Sequence, residues 1–218
     1  MEYRELGSSG MKVSVLSFGA WQIGDSGYWG TDMQADADAA VGVALEAGVN
    51  LFDTAEMYGE GESERVLGKA LGKRRSEVLV ASKVLPTHCE PKALRKACED
   101  SLQRLGMDVI DLYQVHWPFD REGFADVGAE MVRLIDEGKI RAAGVSNFGV
   151  EQIEDWMASG PCVSNQLGYN LLFRAIEHEI APACQRHHLG ILAYMPLLQG
   201  ILAGRWSAID DIPEKRRR

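Results

Sequence analysis

The sequence predicts an α/β protein built on a parallel β-sheet. Two observations predict this class: short, nearly continuous apolar runs alternate with amphipathic helical patterns, and the alternation repeats about every 20 to 35 residues. Continuous apolar runs suit strands that are buried on both faces, and parallel strands need crossover connections between them. A closed barrel and a doubly wound open sheet both fit this alternation. Because no GxGxxG motif follows the first strand, the dinucleotide-binding open sheet loses its main support.

Seven segments are predicted to be the strands of this sheet. The first covers residues 14–20, and the polar segment before it is expected to form a hairpin over the floor of a barrel. The other strands are predicted at residues 49–52, 77–82, 109–115, 140–145, 162–166 and 190–194. Their β-branched, apolar character favours strands over short buried helices.

Amphipathic helices are predicted between the strands because apolar residues recur at helical spacing. The clearest face consists of Leu94, Ala97, Cys98, Ser101, Leu102 and Leu105. Further faces consist of Phe124, Val127, Met131, Leu134 and Ile135, of Ile153, Trp156 and Met157, and of Ile176, Ile180, Ala183 and Cys184. Four glycines are expected to follow helices in the left-handed conformation, namely Gly48, Gly106, Gly138 and Gly190.

Length and composition predict one domain, residues 1–218, of a globular protein. The net charge of −9 argues against a general nucleic-acid or anionic-membrane surface, and the basic run at residues 215–218 is too short to define a nucleic-acid arm. The four cysteines have no CxxC spacing, which favours reduced thiols over disulfides or a zinc site. No signal sequence or membrane-spanning apolar run is seen, so a cytoplasmic location is expected.

Polar residues stand at the carboxyl ends of six predicted strands. They are Asp53, Lys83, His116, the pair Ser146 and Asn147, Gln166 and Tyr194. In an α/β barrel these ends meet at one mouth, where catalysis takes place. The alternative is that polar residues simply begin loops. A carboxylate, a lysine, a histidine and amides at successive strand ends favour a shared site.

The motifs around these residues resemble those of the aldo-keto reductases, from residue 3 to the end of the chain. The segments are FDTAEMYGEGESERVLGKAL (52–71), SKV (82–84), LYQVHWP (112–118), GVSNF (144–148), NQLGYN (165–170) and AYMPLLQGILAGR (193–205). The chain is most similar to the bacterial stress-protein branch, which includes potassium-channel β-subunits. The resemblance implies a (β/α)8 TIM-type barrel that is incomplete here, with about seven strands present and the eighth strand, its helix and a C-terminal segment absent.

The resemblance also implies a catalytic set consisting of Asp53, Tyr58, Lys83 and His116. Hydride delivery to a carbonyl carbon builds charge on the oxygen, so a proton must arrive at nearly the same moment. A free tyrosine, with a pKa of about 10, is a reluctant donor. Lys83, held by Asp53, is expected to lower the pKa of Tyr58, and His116 to orient the carbonyl.

The resemblance places a nicotinamide cofactor, NADP(H) or alternatively NAD(H), beside these residues. Ser146, Asn147 and Gln166 would hold its carboxamide, and Tyr194 would stack on its ring. The residues implied along the rest of the cofactor are Gly19, Trp21, Asp53, Met195, Pro196, Leu197, Gln199 and Arg205. Met195 departs from the family, which commonly has serine there. The small carbonyl substrate is expected to meet Trp21, Tyr58, His116 and Trp117.

Each residue alone has a simpler interpretation. Asp53 could cap a turn, Tyr58 and the two tryptophans could be packing residues, and His116 could be a hydrogen-bonded core histidine. His88 with Cys89, and His187 with His188, lack the partners of a metal site. The first functional hypothesis is a reductase of aldehydes or ketones. The alternative is a cofactor-binding, redox-sensing regulatory protein with little turnover; another type of barrel, such as an isomerase, leaves the four catalytic candidates unexplained.

Overall fold

The computed structural model describes residues 1–24 and 33–214, so the basic run at 215–218 lies outside the described residues. A short antiparallel hairpin is followed by a parallel sheet in which seven strands are ordered as they occur in the chain. The hairpin strands are β1 (Tyr3–Glu5) and β2 (Lys12–Ser14). The sheet strands are β3 (Phe18–Gly19), β4 (Leu51–Asp53), β5 (Leu79–Val84), β6 (Ile110–Val115), β7 (Ile140–Ser146), β8 (Ser164–Gly168) and β9 (Gly190–Tyr194).

One helix follows each strand of the sheet except the last. These helices are α1 (Met33–Glu46), α2 (Glu62–Leu71), α3 (Pro91–Leu105), α4 (Phe124–Asp136), α5 (Val150–Met157) and α6 (Ile180–Arg186). The predicted apolar face of α3 is buried along its whole length. Ile176 is buried too, but it belongs to a separate 3-10 turn before α6 and not to that helix. Within the described ranges, no helix is long and apolar enough to cross a membrane.

The sheet has an apolar core on each of its faces because successive strand residues point to opposite sides. On β6, Tyr113 and Val115 belong to the outer core, which the helices cover. Leu112 belongs to a smaller inner core inside the curled sheet, together with Ala81 of β5. This double burial explains why the strands have nearly continuous apolar sequences.

The N-terminal hairpin closes the bottom of the sheet, as expected. Leu6 and Val13 belong to the inner core. Gly7 has a φ of 53°, and a Cβ at this position would collide with the carbonyl oxygen of Val163 and lie 2.8 Å from the amide nitrogen of Gly190. Since Val163 directly precedes β8 and Gly190 begins β9, the hairpin packs against the amino ends of these two strands. Only glycine fits this close approach.

Two details differ from the sequence-based predictions. The first sheet strand contains only Phe18–Gly19, because Ser14 ends the hairpin instead: its amide donates to Asn50 Oδ1 (2.7 Å) and its hydroxyl donates to Leu16 O (2.6 Å). Gly48, Gly106 and Gly138 do have positive φ, but Gly190 does not. His188, with a φ of 56°, takes the left-handed position after α6, and Gly190 begins β9.

Among the described residues, the sheet remains open. Strands β3 and β9 are its two edges, and each pairs with one neighbouring strand only. The structure therefore contains seven of the eight strands of a (β/α)8 barrel. This confirms the predicted fold class and its incompleteness. The carboxyl ends of all seven strands point to one rim, because every pairing in the sheet is parallel.

Candidate active site

The rim at the carboxyl ends of the strands gathers the predicted polar residues. Asp53 ends β4, Lys83 lies near the end of β5, and His116 follows β6 directly. Ser146 ends β7 and pairs in register with Gln166 of β8. The structure thus brings side chains from five neighbouring strands to one edge of the sheet.

Lys83 is the centre of this arrangement, and its side chain is fully buried. Its ammonium donates to Asp53 Oδ1 (2.6 Å), to the carbonyl oxygen of Thr54 (2.8 Å) and to the hydroxyl of Tyr58 (3.3 Å). Three acceptors match the three protons of the ammonium group, which makes the burial of a cation tolerable. Burial opposes the charged form, but Asp53 and Tyr58 together hold the pKa of Lys83 above its usual value.

Asp53 connects this lysine to two side-chain amides. Its Oδ1 accepts from Lys83, while its Oδ2 accepts from Gln166 Nε2 (2.9 Å) and, more weakly, from Gln114 Nε2 (3.5 Å). Gln114 is fully buried and was not among the predicted site residues. A glutamine inside the buried strand β6 is a signal that could have identified it, because buried polar residues need partners.

The loop that carries Tyr58 is fixed by hydrogen bonds to the elements around it. The amide of Tyr58 donates to Ala55 O (3.1 Å), and its carbonyl accepts from the amide of Ser63 (3.2 Å). The Ser63 hydroxyl in turn lies 2.8 Å from the hydroxyl of Thr54, the residue whose carbonyl binds Lys83. Gly59 adopts a φ of 57°, where a Cβ would collide with a neighbouring carbonyl oxygen. Tyr58 is therefore held in place before any ligand binds.

The electrostatics of Tyr58 differ from the sequence-based expectation. Burial raises the pKa of Tyr58 by more than the adjacent Lys83 ammonium lowers it, so the net direction is upward. Lys83 does act in the expected direction, but burial outweighs it, and the depth of the hydroxyl cannot be read from the sequence. A raised pKa keeps Tyr58 protonated at neutral pH, which is the state that a proton donor needs.

An aromatic wall surrounds the tyrosine ring. The rings of Trp21 and Tyr58 lie 6.1 Å apart between centroids, and those of Tyr58 and His116 lie 5.7 Å apart, nearly perpendicular. His116 stacks on Trp117 at 4.0 Å. The structure brings together all four residues predicted for the substrate pocket. Trp117 is also the most exposed of the four, so its ring forms part of the rim.

His116 is an uncharged residue of this site. Its side chain is buried, and its Nδ1 has no hydrogen-bond partner among the described residues. Burial, reinforced by the Lys83 ammonium, lowers the pKa of His116 to about 3. A neutral imidazole can orient a carbonyl group as a hydrogen-bond donor without bringing a second positive charge next to Lys83.

This low pKa predicts a stability effect of pH. The folded-state pKa of His116 lies below the unfolded value, so protons bind preferentially to the unfolded chain between the two values, and stability falls as pH is lowered through about 6.5 towards 3. Between pH 7 and pH 4, the free energy of unfolding of the wild type should fall by about 3 kcal/mol more than that of His116→Gln. Urea unfolding of both proteins at several pH values measures this. Parallel stability–pH curves for the two proteins would contradict a buried neutral histidine.

A second cluster lies beside the first at the ends of β7, β8 and β9. Asn147 adopts a φ of 64°, a left-handed conformation that asparagine tolerates better than most residues. Its amide group donates to His116 O (3.1 Å) and accepts from the Tyr194 hydroxyl (2.8 Å). The Ser146 hydroxyl donates to Gln166 O (2.9 Å). Asn147 Nδ2 also donates to Ser146 Oγ (3.1 Å), so the side chains of Ser146, Asn147 and Tyr194 are connected to one another and to the backbone carbonyls of His116 and Gln166.

The segment after β9 is less closely tied to the rest of the site. Met195 and Gln199 both adopt left-handed backbone conformations, and Gln199 Nε2 lies 3.9 Å from Met195 Sδ. Pro196, Leu197 and Arg205 are exposed, and the Arg205 guanidinium lies 5.4 Å from the centre of the Trp206 ring. At the opposite edge of the sheet, Gly19 is exposed and pairs in register with Asp53.

In the part of the chain that the structure describes, no three His, Cys, Asp or Glu side chains form a group that could hold a metal ion. The two histidine pairs noted in the sequence have other contacts. His88 Nδ1 lies 2.9 Å from Glu56 Oε1, and His187 Nε2 lies 2.7 Å from Glu154 Oε2. Each is a local contact between one ring and one carboxylate.

The site thus consists of a buried lysine–carboxylate pair, a tyrosine and a histidine at the carboxyl ends of the strands of an incomplete α/β barrel. The chain belongs to the aldo/keto reductase family, whose model matches residues 15–218. It is 36% identical to the aldo-keto reductase YhdN of Bacillus subtilis and 34% identical to an NADH-specific methylglyoxal reductase of Escherichia coli, with 94% and 91% of this chain covered.

Solved structures show the same likeness. An aldo/keto reductase from Klebsiella pneumoniae in complex with NADP and acetate is 36% identical, with a TM-score of 0.82 over 91% of this chain and 69% of that one. The chain spans 65% of the length of the Bacillus protein and 68% of the Escherichia coli protein. The match to the family model, at residues 15–218, includes every strand of the parallel sheet that the structure describes.

Proposed function

We propose that this protein reduces aldehydes or ketones to alcohols with a nicotinamide cofactor, and that Tyr58 donates the proton. The observation that carries the proposal is the position of the buried Lys83 ammonium, within hydrogen-bond reach of both Asp53 and the Tyr58 hydroxyl. A protonated tyrosine beside a fixed cation can release its proton when negative charge develops on a substrate oxygen. Lys83 then stabilises the tyrosinate.

The residues at the second cluster suit a nicotinamide. Asn147 Oδ1 can accept from a carboxamide, whereas both protons of its Nδ2 are donated to His116 O and Ser146 Oγ. Gln166 can accept through its Oε1 and donate the second proton of its Nε2, since the first goes to Asp53. The half-buried ring of Tyr194 offers a stacking surface. When bound, the reduced nicotinamide supplies the hydride. Residues Met195 to Gln199 are proposed to contact the pyrophosphate, with Arg205 as the cationic partner. Pro196 and Leu197 are exposed in this segment, as residues of a binding loop would be.

We propose NADP(H) as the cofactor and NAD(H) as the alternative. The NADP complex of the Klebsiella protein supports the first, and the NADH-specific relative from Escherichia coli supports the second. Fluorescence titration of the protein with NADPH and with NADH, under identical conditions, decides between them. Tighter binding of NADH would reverse the assignment.

The roles of the chain's own residues follow from their contacts. Tyr58 gives its proton to the carbonyl oxygen, and its raised pKa keeps that proton in place until the oxygen becomes basic. His116 remains neutral and orients the carbonyl. Trp21 and Trp117 provide an apolar wall that limits access of water. Asp53 keeps Lys83 charged and in position.

The direct test is turnover. The purified protein is mixed with NADPH and a panel of small aldehydes and ketones, methylglyoxal included, and oxidation of NADPH is followed by its absorbance. We expect reduction well above the rate without protein. Tight NADPH binding with almost no turnover of any carbonyl would instead favour the redox-sensing regulatory protein. The absence of cofactor binding would contradict both functions.

Carboxamide contacts are expected to contribute to cofactor affinity. Asn147→Ala and Gln166→Ala should each weaken NADPH binding by on the order of 1 kcal/mol or more, because each leaves polar groups at the site without a partner. The matched control is ADP-ribose 2′-phosphate, which lacks the nicotinamide and should bind the variants and the wild type equally. Unchanged NADPH affinity in both variants would show that the nicotinamide lies elsewhere.

A further inference from the structure

Asn170, the second residue after β8, joins two loops at the rim although no catalytic contact requires it. Its side chain is buried. Its Oδ1 accepts from the amides of Leu172 and Phe173, both at 2.9 Å, which closes a turn within its own loop. Its Nδ2 donates to the carbonyl oxygen of Met195 (3.2 Å), in the segment that follows β9. One amide group thus satisfies backbone groups from two separate loops.

The Met195 carbonyl is the point at which the second loop turns. The same oxygen accepts from the amide of Leu198 (3.0 Å), so it carries two hydrogen bonds. Met195, Leu198 and Gln199 all have positive φ, between 46° and 54°. None of them is glycine, so each disfavours this left-handed conformation. A segment strained in this way keeps its shape only if surrounding contacts hold it.

Two further contacts confine the loops around Asn170. The Tyr169 amide donates to Tyr194 O (3.3 Å), and the Asn170 amide donates to Phe173 O (3.2 Å). A Cβ on Gly168 would lie 3.3 Å from both Phe173 Cε1 and Tyr194 Cε2, so both rings pack close to the end of strand β8. The loop after β8 is therefore held in one conformation by its own hydrogen bonds, and Asn170 Nδ2 connects it to the carbonyl oxygen of Met195.

We infer that Asn170 is a positioning residue that sets the affinity of the 195–199 segment for the pyrophosphate of the cofactor. The inference rests on the proposed function, which assigns this segment to the pyrophosphate. Asn170 acts through Met195: by holding its carbonyl oxygen, the amide keeps three strained residues in one conformation, so that the ligand does not have to order them when it binds. A preformed loop binds more tightly because less conformational entropy is lost on binding.

The test uses Asn170→Asp, which distinguishes the acceptor role of Oδ1 from the donor role of Nδ2. Aspartate keeps the acceptor for Leu172 and Phe173 but cannot donate to Met195 O. We expect NADPH to bind about tenfold more weakly, since one hydrogen bond is lost and two oxygens now face each other. ADP-ribose 2′-phosphate should lose affinity by the same factor, because it retains the pyrophosphate. The turnover number at saturating NADPH should be unchanged.

The control is Asn50→Asp, a chemically identical change at the opposite end of the barrel. Asn50 also links two backbone groups, accepting from the Ser14 amide (2.7 Å) and donating to Lys12 O (2.9 Å). The Asn50→Asp variant should have a lower melting temperature but an unchanged affinity for NADPH and for ADP-ribose 2′-phosphate. Asn170→Ser is the second variant, because serine can also close the turn but is too short to reach Met195.

The outcomes are distinct. If the wild type binds neither ligand, the proposed function fails and the inference fails with it. If the wild type binds both and Asn170→Asp and Asn170→Ser bind them as tightly, the inference alone is wrong. Equal losses of affinity in Asn50→Asp would also overturn it, because they would reflect general destabilisation. A loss for NADPH without a loss for ADP-ribose 2′-phosphate would place the effect at the nicotinamide end and contradict the inference.

Discussion

Replacing Tyr58 with phenylalanine is expected to reduce carbonyl reduction by a factor of about 100 to 10,000 while leaving NADPH affinity nearly unchanged. General acid catalysis by a positioned side chain contributes about this much to a rate. The hydroxyl is at the edge of hydrogen-bond reach from Lys83, 3.3 Å away, whereas the ring packs beside Trp21 and His116. Phenylalanine keeps the ring packing and removes only the proton donor, so the loss should appear in kcat.

The matched control for this variant is Tyr3→Phe. The Tyr3 hydroxyl donates to Gly48 O (2.8 Å) and lies in the hairpin at the opposite end of the sheet. Its removal also deletes one tyrosine hydroxyl and one hydrogen bond, but it should leave kcat at the wild-type value. Single-turnover kinetics and fluorescence titration separate the chemical step from binding. Near-normal turnover of Tyr58→Phe would show that the proton comes from another group.

Replacing Lys83 with methionine is expected to remove both activity and stability. Without the ammonium, the pKa of Tyr58 rises further and the tyrosinate loses its stabilising charge, so turnover should fall as far as in Tyr58→Phe. Asp53, whose side chain is 14% exposed, loses its cation but keeps its two glutamine donors. Breaking such a pair from one side costs about 3 kcal/mol or more. Urea unfolding at pH 7 measures this loss.

A second substitution separates the two effects. In the double variant Lys83→Met with Asp53→Asn, no charge is left without a partner, and the amide can still accept from Gln166. We expect most of the lost stability to return, because replacing both members of a buried pair costs far less than removing one. Turnover should remain absent. If the double variant were as unstable as Lys83→Met alone, packing of the lysine stem rather than charge pairing would explain the stability.

The order of the elements and the rim of polar residues could be predicted from the sequence, for definite physical reasons. Strands buried on both faces have continuous apolar sequences, and the face of α3 that contacts the sheet repeats at helical spacing. Parallel strands bring their carboxyl ends to the same rim. For this reason Asp53, Lys83 and Gln166 could be expected close together although they are far apart in the chain.

What could not be predicted depends on three-dimensional distances. The pKa of Tyr58 is set by the balance between burial and the Lys83 charge, and this balance requires the depth of the hydroxyl. Gln114 and Asn170 act on atoms 61 and 25 residues away, so nothing in their local sequence shows their partners. The left-handed residue after α6 is His188 and not Gly190. Gly190 instead allows a close approach between two segments of the chain, since a Cβ there would lie only 2.7 Å from Leu6 Cδ1, where strand β9 passes the hairpin.

The hairpin at the floor of the sheet also bears on how the chain folds. Its contact with the start of β9 joins the first residues of the chain to the last strand of the sheet. Closing so long a loop consumes chain entropy before the packing of Leu6 and Gly7 compensates for it. Most neighbouring strands, by contrast, pair across a single helix and need only short loops. We therefore expect strand β9 to gain its contact with the hairpin late, after the intervening units are ordered, and the rate of this step to depend on the topology of the whole chain.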